Sequence, residues 1–233
     1  MPSAPRIACP RPTRASGSCS GDTRRAHASL NAAILARTYA PELRLLGIAV
    51  AAPATDLSTM SKGLGATPDS QLMGAMLLWS WSRVYNTPLE KVVDPKDIPA
   101  VKLLSSVCFD PPYAGRVQPK DEPVPAASYR LTSDLSAAEP WRSLFVSNTP
   151  GALPPEVPVF LAQGTDDTTI PPQLTELYMR RLCRAGDTVH RVTLQGVDHR
   201  FIARDAAGAA VAWIGNRFAG GPAPNDCLVA DRP

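Results

Sequence analysis

Residues 45 to 52 read LLGIAVAA, an almost continuous apolar run. A run of this kind forms a strand buried on both faces, as in a parallel sheet covered by helices, and that demand points to a layered α/β architecture. Before it, Leu30, Ala33, Ile34 and Ala36 are spaced as one face of a helix that starts near His27 and stops ahead of Pro41, which disfavours continuation. Helix, tight turn and buried strand make half of a β-α-β unit. The scheme returns at residues 157 to 162, a second buried strand that breaks at Gly164 into a polar turn. Pro171 and Pro172 then open a helix closed by Gly186. A third strand follows around His190 to Leu194, then a loop carrying Gly196, Asp198 and His199, then a helix over residues 206 to 218 stopped by Gly220 and Gly221. The expected fold class is therefore α/β, with a mostly parallel sheet and flanking helices.

Residues 58 to 153 change character. The stretch QLMGAMLLWSWSRVY, Gln71 to Tyr85, is a strongly apolar helix, and proline-punctuated sequence such as DPPYAGRVQPKDEPVPAAS comes after it. Two readings stay open: an inserted helical cap, or an ordinary core helix followed by a long loop. Charged residues make up 19% and the formal net charge is +3, too small an excess to argue for nucleic acid. Arg6, Arg11, Arg14, Arg24 and Arg25 crowd the first positions, so the basic balance is partly a terminal effect. No run reaches the roughly 20 apolar residues of a membrane-spanning helix. The leading segment lacks the apolar core of a secretory signal, and Pro2, Pro5, Pro10 and Pro12 argue against an amphipathic targeting helix. Cys9, Cys19, Cys108, Cys183 and Cys227 show neither C-x-x-C nor zinc spacing. Cys183 and Cys227 either pair, if the protein is exported, or stand as separate thiols.

The chemistry-bearing residues fall just past the ends of two successive strands, the edge of an open parallel sheet where ligands gather. An acidic pair, Asp166 and Asp167, follows the second strand, and Asp198 and His199 follow the third. Of three histidines, His27 lies at a helix start and His190 inside a strand, so His199 is the one placed on a loop where a proton can be shuttled. Acid then histidine is the order of a nucleophile-acid-His triad on an α/β-hydrolase sheet. There the imidazole moves the nucleophile's proton while a buried carboxylate fixes its tautomer. Taken singly, each residue is as readily a turn former, a helix cap or a surface side chain. A metal reading uses the same Asp166, Asp167, Asp198 and His199, but their spacing is not that of a dedicated site. No cofactor is expected.

At this point the chain resembles the secretory lipases, α/β-hydrolases that act on triacylglycerols and other carboxylic esters. The resemblance rests on YAPELRLLGIAVAAPATDL, VPVFLAQGTDDTTIPPQLTELYMRRLC, VTLQGVDH and the closing AWIGNRFAGGPAPNDC, and covers most of the chain from His27 on. Matched residue by residue, G-T-x-D-x-x-[IV]-P-P implies that Asp167 rather than Asp166 is the acid, and G-V-D-H implies that His199 is the base. The resemblance also implies a cap over residues 58 to 153, with the Met/Leu/Trp helix as a wall of an acyl pocket. It implies a core split between residues 27 to 57 and 154 to 233, a small ester or lipid substrate met at a lipid interface without stable membrane insertion, and secretion, with any signal peptide lying upstream.

The departure is at the start. The family carries a G-H-S-x-G elbow directly before the helix that follows, and this chain has no G-x-S-x-G. Aligned on the helix, the serine position falls on Thr23, whose extra methyl crowds a strained turn that no glycine relieves. The codons of residues 21 to 26, read in the neighbouring frame, can spell G-H-S-Q-G. Residues 1 to 26 are therefore expected to be non-native or disordered. The chain is expected to be an incomplete α/β-hydrolase fold, the C-terminal half of the sheet, that is inactive and prone to aggregate. The alternative is a non-catalytic remnant.

Overall fold

A computed structural model describes residues 22–66, 68–106 and 128–227. Most of the proline-punctuated segment after Phe109 and most of the expected non-native N-terminus lie outside the described residues.

The first helix, α1, spans Asp22–Tyr39 and so begins ahead of His27, because Thr, Arg and Ala tolerate helical backbone and Ala26 already buries against the sheet. Strand β1, Ile48–Ala51, is shorter than the apolar run that contains it. Its burial alternates: Ile48 and Val50 are buried, Ala49 and Ala51 half-buried, and Leu43 and Leu45 lie exposed before the strand starts. The expectation of burial on both faces is corrected here. The cause is an incomplete cover: a groove of about 240 Å³ runs between α1, β1 and α7 (Ile202–Phe218), walled by small residues including Ala26, Ala49, Ala51, Ala203, Ala206 and Ala210.

Strand β2, Val159–Gly164, is buried at every residue, and β3 is Val189–Leu194. The sheet is parallel in the order β1-β2-β3, with Ile48 opposite Val159 and Val159 opposite Val189. Between β2 and β3 runs α6, Pro172–Arg184, with Pro172 at its first position. Gly186, one residue beyond the Ala185 cap, takes φ +87°, the left-handed conformation that ends a helix at little cost to glycine.

The sheet is sandwiched. On one face Leu30 and Ala33 of α1 and Tyr178, Met179 and Leu182 of α6 pack on Val50, Val159 and Leu161. On the other, Ile202, Ala206 and Trp213 of α7 pack on Phe160 and Ala162. The chain between β1 and β2 forms α2 (Leu57–Ser61), α3 (Pro68–Val84), α4 (Ile98–Ser105) and α5 (Trp141–Asn148). Leu78, Val101, Trp141 and Phe145 from this segment join the core of the α7 face. Within this segment the apolar helix α3 packs chiefly against α4.

Past α7 the chain returns along β3. Asp226 N–H donates to Val189 O (2.7 Å), and the Asp226 carboxylate accepts from Arg191 N–H (2.7 Å) and pairs with His190 Nδ1 (2.9 Å). A disulfide joins Cys183 of α6 to Cys227, which decides between pairing and separate thiols. Residues 225 to 227 thus cover the β3 edge, whereas β1 pairs with β2 alone among the described residues.

Candidate active site

The site is built where β2 and β3 end. Gly164, the last residue of β2, lies so close to the next loop that a Cβ would sit 2.1 Å from Val197 O, so only glycine lets the two loops cross here. They are stitched together by Thr165 N–H to Leu194 O (3.0 Å), Asp166 N–H to Val197 O (3.2 Å) and Gly196 N–H to Thr165 Oγ1 (2.8 Å). Gly196 supplies the turn with φ +69°.

This stitching brings Asp167 and His199 together. Asp167 Oδ1 accepts from the backbone N–H of Thr169 (3.0 Å) and Ile170 (2.7 Å), a local turn that fixes the carboxylate. Its Oδ2 lies 2.8 Å from His199 Nδ1, with the Asp167 side chain fully buried and that of His199 8% exposed. A carboxylate seated against Nδ1 holds the ring with the proton on that nitrogen, so acid-base chemistry at this imidazole runs through Nε2.

The other sequence candidates do not converge on the pair. Asp166 is an exposed turn residue accepting from the Thr165 hydroxyl (3.0 Å), and Asp198 accepts from Arg200 N–H (2.9 Å). Among the described residues no group of three or more His, Cys, Asp and Glu side chains comes together as a metal donor set. His27 is a structural link, its Nδ1 on Ala54 O (3.1 Å) past the end of β1 and its Nε2 on Asn31 Nδ2 (3.1 Å). His190 serves the C-terminal cover described above. Thr23 is the second residue of α1.

Sequence reasoning passed over Gln163, a wholly buried amide in an otherwise apolar strand. Its Nε2 donates towards Gly164 O (3.1 Å), Ile170 O (3.2 Å) and Asp167 Oδ2 (3.3 Å), and its Oε1 accepts from the Thr175 hydroxyl (2.6 Å). The available signal is the one polar residue ending the run VPVFLAQ.

Among solved structures, a Candida antarctica lipase A matches 87% of this chain and 48% of its own with TM-score 0.67 and 18% identity. The same lipase in its closed state matches 84% and 47% with TM-score 0.66 and 18% identity. A rice cell wall degrading esterase LipA from Xanthomonas oryzae matches 84% and 56% with TM-score 0.60 and 14% identity. At these identities the likeness is one of fold, and the chain spans about half the length of each. A search of curated protein sequences returned no match. The family model described as secretory lipase matches residues 19–226, most of the chain and all of the Asp167–His199 site. On that match the chain belongs to the secretory lipase family.

Proposed function

We propose that Asp167 and His199 are the acid and base of a carboxylic-ester hydrolase acting on triacylglycerol-like substrates, and that this chain carries no working nucleophile. What supports the first half is the 2.8 Å contact between His199 Nδ1 and a fully buried Asp167 carboxylate. In such a triad His199 Nε2 removes the proton of an attacking hydroxyl and returns it to the leaving alcohol. Asp167 holds the tautomer and stabilises the imidazolium. An acyl-enzyme then forms and water releases it. The segment from α2 to α5, which follows β1 in the chain, is the cap that shapes the acyl site.

The second half rests on the sequence. No G-x-S-x-G occurs, and Thr23 stands where the family's serine is expected. The family match also makes secretion the natural setting, consistent with the Cys183–Cys227 disulfide. Incubated with a fluorophosphonate probe and a p-nitrophenyl ester, the purified 233-residue protein is expected to neither label nor turn over. Labelling and turnover that both vanish in His199→Ala would overturn the inactivity. The out-of-frame origin of the residues before His27 is decided by the nucleotide sequence: codons for Gly21 to Ala26 that cannot spell G-H-S-Q-G in the neighbouring frame end that reading.

A further inference from the structure

We infer that Gln163, locked by Thr175, is a positioning residue for the Asp167–His199 pair. The inference rests on the reading of that pair as acid and base. It begins from an anomaly of burial. Every residue of β2 is buried, and leucine at position 163 would spare the cost of burying an amide. Gln163 is instead fully buried and surrounded by polar atoms that fix which end of the amide points where. Two carbonyls, Gly164 O and Ile170 O, flank Nε2 at 3.1 and 3.2 Å, so that end is the NH₂. The Thr175 hydroxyl donates to Oε1 at 2.6 Å, which holds the other end as the carbonyl. With its orientation set, the NH₂ group, whose two hydrogens are shared among three acceptors, also reaches Asp167 Oδ2 at 3.3 Å, the same oxygen that receives His199 Nδ1.

Asp167 is thereby gripped at both oxygens. Thr169 and Ile170 N–H hold Oδ1, while Gln163 and His199 share Oδ2. Without the amide, Oδ2 keeps only the imidazole, and the carboxylate is free to rock about its Oδ1 anchor. The grip also ties three pieces of chain: the end of β2, the turn of residues 167 to 170, and the first turns of α6 through Thr175, itself fully buried. Gln163 thus acts on chemistry through Asp167 and touches no reacting atom.

The three-histidine chain suits ¹⁵N-histidine NMR, with His199 assigned by its loss in His199→Ala. At alkaline pH the wild-type His199 ring is expected as the Nδ1–H tautomer, with a low-field Nδ1 proton. Gln163→Leu and Thr175→Val are expected to broaden or lose that proton and mix in the Nε2–H tautomer, while Thr175→Ser, which keeps the hydroxyl, retains the wild-type pattern. Far-UV circular dichroism identifies any variant that fails to fold, and Thr175→Val, which exchanges the hydroxyl for a methyl of similar size, keeps the test open if Gln163→Leu does not fold. A wild-type tautomer and low-field proton in whichever of Gln163→Leu and Thr175→Val fold overturn the inference. An Nε2–H tautomer in the wild-type protein instead overturns the acid-base reading itself, so the two failures are distinguishable.

Discussion

Asp167→Asn is the sharpest residue-scale perturbation of the site. The Asn oxygen can still accept from Thr169 and Ile170 N–H, but its NH₂ then faces Gln163 Nε2 and His199 Nδ1, donor against donor. The ring relieves the conflict by moving its proton to Nε2, and the buried mismatch costs about 1–3 kcal/mol. Nitrogen chemical shifts of His199 and a urea midpoint check both. Gly164→Ala drives a Cβ into Val197 O and is expected to cost about 3 kcal/mol, read as a fall in melting temperature. Burial raises the Asp187 carboxyl above the ordinary carboxylate range. Its folded pKa then exceeds its unfolded one, so the stability tied to its protonation is full at acid pH and is lost as pH rises through the folded value. Asp187→Asn should therefore raise the melting temperature at neutral pH and leave it unchanged at strongly acid pH. That Asp167 and His199 meet is legible from two loops after successive parallel strands. Gln163 is not legible in that way, because a glutamine at a strand end looks the same in sequence whether it faces water or a buried carboxylate.

Among the elements, β1 carries the main liability. Ile48 and Ala52 N–H donate to Pro158 O (3.0 Å) and Ala162 O (2.9 Å) of the β2 side. Peptide groups alternate in a parallel ladder, so those of Ala49 and Ala51 turn to the edge that no other strand of the described residues pairs, beside the alanine-walled groove. An open edge of small apolar residues templates pairing with another chain. Sedimentation velocity is expected to show self-association that grows with concentration. Ala49→Pro, which removes an outward donor, should weaken it, while Val50→Pro, which removes an inward one, should unfold the sheet. The fully buried β2 and the proline-opened α6 follow directly from apolar run and breaker positions. The start of α1 and the half-exposed face of β1 do not, because each depends on what packs against the element and not on its own pattern.

At the scale of the molecule, the two edges of the sheet are treated differently among the described residues. β3 is covered by Asn225 to Cys227, with Val189 N–H on Asn225 Oδ1 (3.4 Å) and Asp226 N–H on Val189 O (2.7 Å). The Cys183–Cys227 bond spans 44 residues, for which loop closure gives about 4 kcal/mol. Reduction, or Cys227→Ala, is expected to lower stability by roughly 2–4 kcal/mol and to raise amide exchange along β3, measured by mass spectrometry. Cysteine spacing in the sequence left this pair open, since only the return of the chain along β3 brings residue 227 beside α6.

The cover on β3 also sets an order of events during synthesis. Asn225, Asp226 and Cys227 are made after every strand and helix they clasp, so a nascent chain carries the outer edge of β3 uncovered until those three residues emerge. The Asn225 and Asp226 hydrogen bonds to β3 end this exposure, and the Cys183–Cys227 bond then ties them in place. A pulse-labelled chain followed through translation should be protease-sensitive along the outer edge of β3 until residues 225 to 227 are in place.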